Sequence, residues 1–364
     1  MMREEIKVSA PGRVCLFGEH QDYFGLPIIA AAINLRISIS GKKRKDNTLK
    51  IDLPDIGDAE EFTLEKEAEY TQERDYLKSA VNVLKRKGVR FPTGWDCHVR
   101  GTIPINSGTA SSSALVVAWI KFLLEAAGDK RASAVDEIAE LAFLSEVAEF
   151  GEPGGKMDHF SSALGGVVTI DFDEELKVKK LKNSLKEFVL ADSLQKKDTT
   201  GMLGYIKSHV LEGEASIQEK IDGFNLKSPL TQREKDEIEK LSPDVKRLLK
   251  GTLLTRDLTA EGRALFESEV FDHARFGELL SRQHDVLRDS IRISTPKIEQ
   301  MIAVSLEAGA LGAKTNGSGG GGCMFAYAPE NAANVAAALE KTGAKAYVVR
   351  VDAGARREEI EEDT

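Results

Sequence analysis

Apolar and polar positions divide the chain into short strand-like runs and longer helix-like runs. Residues 6 to 9 and the stretch IIAAAINLRISIS, residues 28 to 40, carry apolar side chains bounded by turn residues, which predicts strands. From Ser112 to Ala127 the chain is strongly apolar over a helical length, and Gly128 stands where a C′ glycine belongs. A second helix is expected from about Ser133, a candidate N-cap, to Phe150, with Gly151 stopping it. GGVVTIDF, residues 165 to 172, predicts a strand that ends the first half. Between about 213 and 250 Glu and Lys dominate, and Pro229 and Pro243 punctuate the run. Ile238, Leu241, Val245, Leu248 and Leu249 nevertheless keep a helical period, which predicts exposed helices of a second domain and not a linker. The segment Arg356–Thr364 is almost wholly charged and is expected to fray. Alternation of this kind implies an α/β or α+β fold.

A chain of 364 residues exceeds one ordinary core and implies roughly two domains. The expected boundaries are 1–180 and 181–355, followed by the charged tail 356–364. Apolar residues make up 41% and charged residues 30%, which suits a soluble globular protein. The formal charge is −9 and no long basic run occurs, so neither nucleic acid nor an anionic membrane is the expected partner. An acidic chain can still hold ATP, because phosphate sites are local and Mg²⁺ supplies charge. Cys15, Cys97 and Cys323 are odd in number and lack CxxC spacing, so a cytoplasmic setting is expected and a disulfide framework or zinc site is not. The opening MMREEIKVSAPGR has no apolar h-region, and no run of about 18 apolar residues follows. No secretory signal or transmembrane helix is therefore expected.

Three segments carry candidate chemistry. GTIPINSGTASSSALVV, from Gly101, joins a turn framed by Pro104 and Gly108 to a hydroxyl-rich helix start. A helix N-terminus offers free N–H groups and a positive dipole end, which suits polyphosphate, and its serines can reach Mg²⁺. The Lys of a Walker A loop is missing, and an ordinary serine-rich helix start is the plain alternative. EVAEFGEPGGKMDHF, residues 146 to 160, sets Glu146 and Asp158 across a tight turn. One carboxylate could bind Mg²⁺ and the other accept a substrate proton, with Glu149 and Glu152 as rivals that spacing does not separate. GALGAKTNGSGGGGCMFAY, residues 309 to 327, has seven glycines among the 14 residues from Gly309 to Gly322 and then turns apolar. Such a loop lets backbone approach a ligand, and the apolar run predicts a strand.

These three segments follow a fourth, SAPGRVCLFGEHQDY, residues 9 to 23. The set, in this order, resembles the GHMP kinases, and within them the galactokinase branch. GRVCLFGEHQDY is similar to the branch's GRVNLIGEHTDY, and PINSGTASSSA to its PxGxGLSSSAS phosphate loop. Glu146, Gly151, Pro153, Gly155, Met157 and Asp158 fall in register with its E-x5-G-x-P-x-G-x-M-D-Q, with His159 after them. GALGAKTNGSGGGGC matches its GxxGSRMTGGGFGGC. The resemblance spans nearly the whole chain. It implies an α+β, two-domain fold with nucleotide and sugar in the cleft between domains. It implies ATP-dependent phosphorylation at a sugar's anomeric hydroxyl, most simply galactose, using Mg²⁺. Asp158 stands for the base and Arg13 for its charged companion. Ser112 and Glu146 stand for the Mg²⁺ ligands, with Ser111 a rival of Ser112. Pro104, Asn106, Ser107, Gly108, Ala110, Ser111, Ser112 and Ser113 would wrap the triphosphate, joined by Gly317 and Gly319. Glu19, His20, Asp22 and Gly155 stand for the sugar contacts.

The chain departs from the pattern in places. Cys15 replaces Asn, Gln21 replaces Thr, and Asn316 replaces the Thr of the glycine loop. The branch's Tyr-x-x-Arg-Arg segment is replaced by ADSLQKKDTTGMLGYIK, residues 191 to 207, where Tyr205 is the candidate substitute. The sugar therefore stays open among galactose, N-acetylgalactosamine, L-arabinose and a uronic acid. Mevalonate as substrate and a non-catalytic sugar and ATP sensor are the alternatives.

Overall fold

The computed structural model describes residues 4–105, 107–152, 154–172, 175–195 and 199–360. The chain opens with β1 (Glu5–Phe17), β2 (Ile28–Lys43), β3 (Thr48–Leu53), β4 (Asp58–Thr63), α1 (Tyr76–Arg86) and β5 (Trp95–Gly101). There follow α2 (Ser111–Ala127), α3 (Val135–Phe143), α4 (Met157–Leu164), β6 (Val167–Phe172) and β7 (Leu176–Leu181). The second half contains β8 (Phe188–Asp192), α5 (Thr199–Gln218), α6 (Gln232–Ile238), α7 (Pro243–Glu267), α8 (His273–Asp285) and α9 (Pro296–Glu307). It closes with β9 (Gly312–Thr315), β10 (Cys323–Tyr327), α10 (Ala332–Glu340), β11 (Lys345–Val349) and the short β12 (Arg356–Arg357). The first sheet runs β12-β1-β2-β5-β3-β4, with β6 paired onto β2 and β7 onto β6, and the second runs β11-β8-β10-β9. Two sheets with helices packed on each make the mixed α+β architecture.

Helix α2 is the axis of the first half. It is apolar around its circumference, and such a helix must be enclosed. Trp119, Phe122 and their neighbours on α2 pack between the first sheet and α1, α3 and α4. The Trp119 indole donates to the Leu77 carbonyl at 3.0 Å, so its polar atom is satisfied inside the core. The expected C′ glycine is in place, because Gly128 has φ 66°.

Four expectations need correction. Strand β1 does not stop at residue 9 but runs through the GRVCLF motif to Phe17. Its pairing with β2 shifts register between Pro11 and Arg13, and such a bulge re-aims side chains. Ser133 caps nothing: it lies in a 3₁₀ turn, and Ala134 precedes α3 without a side-chain cap. The second helix is also interrupted, since a π turn spans Leu144–Ala148 and rotates Glu146 out of the regular helical phase. The charged tail is pinned where it is described. Arg356 and Arg357 pair with Ser9 and Val8, and the Glu358 amide donates to the Lys7 carbonyl at 2.9 Å. Residues 361 to 364 lie outside the described residues.

The two halves share one core. Val14, Leu16 and Phe17 of β1 and Ile29, Ala31 and Ile33 of β2 turn away from α2 and join Phe188, Phe276, Phe325 and Tyr327 of the second half. Phe276 sits at the centre, edge-on to Phe17 with ring centroids 5.9 Å apart and to Tyr327 at 4.9 Å. In the helical region 213 to 250, Ile238, Leu248 and Leu249 pack into a further core with Ile206 and Val210 of α5, which explains their helical period. Phe276→Ala is expected to cost about 3–5 kcal/mol. Because both halves lean on that ring, calorimetry should show a single unfolding transition moved to lower temperature. Two separate transitions, only one of them shifted, would contradict the shared core.

Candidate active site

A cleft opens beside the N-terminus of α2, where β1, the loop before α4 and the glycine loop meet. Arg13, Glu19, His20, Asp22, Ser111, Ser112, Ser113, Glu146, Gly155 and Asp158 all line it, together with Gly108, Ala110 and Gly317. Arg13 comes from the bulged stretch of β1, and Asp158 from the first turn of α4. The two side chains form a bidentate pair, Nε to Oδ1 at 2.7 Å and Nη2 to Oδ2 at 2.9 Å. The third guanidinium arm, Nη1, donates to the Gly108 carbonyl at 2.6 Å. Burial lowers the guanidinium's proton affinity, and the Asp158 carboxylate more than offsets this by charge and hydrogen bonding, so the net shift is upward. The Arg13 side chain is 5% exposed and that of Asp158 28%. The cation is therefore sealed while the carboxylate stays within reach of a ligand.

The phosphate loop is held by backbone packing. The Arg13 amide donates to the Thr109 carbonyl at 3.2 Å and the Cys323 amide to the Ser107 carbonyl at 2.7 Å. A Cβ at Gly317 would lie 2.6 Å from the Gly108 carbonyl oxygen, so only glycine lets the two loops touch. Ser107 turns inward, its hydroxyl donating to the Pro104 carbonyl at 2.8 Å, so it braces the loop. Ala110, with φ 58°, precedes α2 without a side-chain cap, which leaves the first amides of the helix for a ligand. Ala110, His20 and Arg74 all have left-handed backbone and all line the cleft. Strain of this kind gathers where the surrounding structure enforces a site.

Around the GEHQD motif the structure separates residues that the sequence groups. The Glu19 carboxylate, 2% exposed, is gripped by the Lys314 ammonium, and its Oε2 has no protein hydrogen-bond partner. Burial, with a smaller contribution from the like charge of Arg13, pushes the Lys314 ammonium down to about 7. His20 lies between two elements: Nδ1 is 2.9 Å from the Tyr23 hydroxyl and Nε2 is 3.2 Å from the Ser318 carbonyl. Its Nε2 therefore carries the proton, since a carbonyl can only accept. Asp22 accepts from the Tyr23 amide at 3.0 Å and the Met157 amide at 3.4 Å. Partial burial, with Asp158 nearby, pushes its carboxyl up to about 6. Gly155 lies directly against the Asp22 carboxylate, in space a Cβ would fill. Gly155 thus makes room for Asp22.

Three expected site residues, like Ser107, are not among the residues that line the cleft. Tyr205 on α5 is 43% exposed, lies tilted against His209 with centroids 4.2 Å apart, and is not among the cleft residues, where Leu203 of the same helix appears instead. Gly319 packs against Ile293, so its lack of a side chain serves internal packing. Pro104 contributes its carbonyl to Ser107 and does not line the cleft. Asn106, Pro153 and residues 196 to 198 lie outside the described residues. Of the carboxylate rivals, Glu149 binds Arg86 and Tyr70 away from the cleft, while Glu152 lines it and pairs with Arg74 at 2.7 Å.

His159, Arg74, Tyr76, Lys314 and Asn316 were not anticipated as members of the site. His159 Nε2 lies 2.7 Å from Glu146 Oε2. Its signal was adjacency to Asp158 within a singled-out motif. Arg74 and Tyr76 sit in a charged run with no motif to mark them.

The three comparisons with known proteins agree on the family. Residues 75–166 match the GHMP kinases N terminal domain, residues 263–345 the GHMP kinases C terminal, and residues 2–43 the galactokinase galactose-binding signature. The chain is 27% identical over 369 residues to the mevalonate kinase of Thermococcus onnurineus, covering 98% of this chain and 99% of that protein. It is 28% identical over 341 residues to the galactokinase of Mannheimia succiniciproducens, covering 89% and 86%. Among solved structures, Lactococcus lactis galactokinase complexed with galactose superposes with a TM-score of 0.83 at 22% identity, over 98% of this chain and 95% of that one. Methanococcus jannaschii mevalonate kinase superposes with 0.73 at 22% identity, over 96% and 98%. Fold and matched domains together define a small-molecule kinase. The chain belongs to the GHMP kinases.

Lys314→Met is expected to strand the buried Glu19 carboxylate and cost about 3–5 kcal/mol. Thermal unfolding of that variant and of Glu19→Gln/Lys314→Met checks this. The double variant should recover much of the loss, and equal midpoints for wild type and Lys314→Met would rule the pairing out as structural.

Proposed function

We infer that the chain transfers the γ-phosphoryl group of ATP to the anomeric hydroxyl of a neutral sugar, with galactose the first candidate. The charge inventory of the cleft carries this reading. Five carboxylates line it, from Glu19, Asp22, Glu146, Glu152 and Asp158. The only Lys or Arg cations among its described lining residues are Arg13 and Arg74, each already paired with a carboxylate. Hydroxyl donors suit such a lining, whereas a substrate carboxylate would meet like charge. That favours a neutral aldose over mevalonate or a uronic acid. The galactose-binding signature covers Glu19, His20 and Asp22, which supports the same choice.

In this reading Asp158 accepts the proton of the attacking hydroxyl, and Arg13 keeps it ionised and oriented. Asp22, with Glu19 of the same motif, is the acceptor assigned to other sugar hydroxyls. The open amides of α2 and the serine hydroxyls bind phosphate oxygens. A carboxylate and a hydroxyl, Glu146 and Ser112, fit Mg²⁺, which prefers few protein oxygens plus phosphate and water. No group of three or more His, Cys, Asp or Glu poised for a metal occurs among the described residues, so the donor set fits a cation carried largely by nucleotide. When bound, Mg²⁺ would neutralise charge on the transferring phosphate.

A coupled ADP-release assay over aldoses, uronic acids and mevalonate tests the reading. Turnover should be highest on a neutral aldose. The mevalonate kinase relatives motivate the rival, and mevalonate as the best substrate would reverse the ranking. Asp158→Asn should lower kcat by about 10²–10⁴-fold while ATP binding persists. Near-normal turnover in that variant removes Asp158 from the role of base.

A pH dependence follows from Asp22, whose carboxyl titrates near 6 in place of about 4. As pH falls through about 6 it takes up a proton and loses acceptor capacity, so sugar KM should rise on the acid side. The sign for stability is opposite. A raised carboxyl favours the folded state at low pH, and that contribution is lost as pH rises through the folded value. Asp22→Asn should therefore raise the sugar KM at neutral pH, abolish its acid-side dependence, and leave the neutral-pH thermal midpoint equal or higher. A wild-type KM flat from pH 5 to 8 would refute the assignment.

A further inference from the structure

We propose that Asn316 is a positioning residue for phosphoryl transfer: its side-chain amide sets the Gly108 carbonyl, and that carbonyl orients Arg13 against Asp158. The proposal rests on the roles given above to Arg13 and Asp158. Asn316 is fully buried in the glycine loop, just after β9. Its Nδ2 donates to the Gly108 carbonyl at 2.9 Å and its Oδ1 accepts from the Cys15 amide at 2.9 Å. These partners leave no ambiguity in the amide's orientation, because a peptide N–H only donates and a carbonyl only accepts. Its own backbone amide donates to the Cys323 carbonyl at 3.0 Å, so the residue is anchored before its side chain acts.

The site demands an amide. One terminal atom must donate and the other accept, at the same time, toward two different elements. A carboxylate cannot donate, and a threonine has a single oxygen for both tasks. The Gly108 carbonyl has two lone pairs, and Arg13 Nη1 takes the other at 2.6 Å. One oxygen therefore ties the glycine loop, the phosphate loop and the Arg13–Asp158 pair together. Two of the departures from the galactokinase pattern that the sequence showed, Cys15 and Asn316, are direct neighbours across this bond. The amide that the pattern carries at position 15 stands here at position 316, facing the strand it left.

The test compares Asn316→Asp and Asn316→Ala with wild type. It measures kcat and KM on the best acceptor and the affinity of a fluorescent ADP analogue. Asn316→Asp keeps the acceptor for the Cys15 amide and loses the donor to Gly108. It should lower kcat by about 10- to 100-fold, the scale of a small misplacement of reacting groups. The sugar KM should move much less, and ADP affinity should fall as the phosphate loop loosens. In an Arg13→Lys background the same substitution should add little, because the contact it acts through is already altered. A merely structural role predicts full additivity. Should Asn316→Asp fail to fold by circular dichroism, Asn316→Ala carries the same comparison without a buried charge. Wild-type kcat and ADP affinity in a folded Asn316 variant, or a full additional loss in the Arg13→Lys background, overturns the proposal. Asp158→Asn keeps the two inferences apart. An inactive Asp158→Asn with a fully active Asn316→Asp sinks only the role of Asn316, whereas a fully active Asp158→Asn sinks the reading it rests on.

Discussion

The bidentate contact between Arg13 and Asp158 is the constraint around which the cleft is organised. A guanidinium has three faces that can donate, and here two meet one carboxylate while the third meets the Gly108 carbonyl. Strand β1, the start of α4 and the phosphate loop are thereby locked to one planar group. Once those three are placed, the N-terminus of α2 and the carboxylate of Asp158 face the same volume. A guanidinium this buried needs its charge matched and its donors satisfied, and the structure supplies both.

The rest of the molecule serves that arrangement at a distance. Glycines let two loops touch backbone to backbone, and buried polar side chains hold them there. The Glu19–Lys314 pair does for the start of the sugar motif what Arg13–Asp158 does for the centre, joining the turn after β1 to β9 across the halves. Below both lies the shared aromatic core of Phe17, Phe188, Phe276 and Tyr327. Such a core resists relative motion of the halves, because close-packed interiors deform little. Carboxylates then accumulate on one rigid surface, and the carboxyl of Asp22 is raised first by burial and second by the charge of Asp158 beside it.

Much was legible before the fold was known. Helix α2 and its terminal Gly128, the strand at 167 to 172 and the strand after the glycine loop follow from apolar pattern and turn residues. Most of the cleft residues were legible too, because each motif is a contiguous run and a short peptide carries its own register. What misled the reading was local. Ser133 resembles a cap by composition, and the charged tail resembles a fraying end, yet a 3₁₀ turn claims one and an edge strand claims the other. Tyr205 stands in the segment that replaces the branch's Tyr-x-x-Arg-Arg, yet the helical phase of α5 turns it to solvent while Leu203 faces the cleft.

The sequence by itself determined which chemistry is present: a run of hydroxyls before a buried helix, carboxylates in two motifs, an arginine in the first strand, and glycines where loops must meet. Those properties reside in residue types and short spacings, which need no partner to be recognised. Only the tertiary structure decided who faces whom. Asn316 lies 208 residues from Gly108 in sequence and Lys314 lies 295 from Glu19, yet both pairs are in contact. Hydrogen bonds and charge pairing depend on ångström distances and donor direction, and sequence separation carries neither. For that reason Glu19 could be expected beside a sugar from its motif, while its grip by Lys314 and the role of one amide beneath the phosphate loop emerged only when the chain was folded.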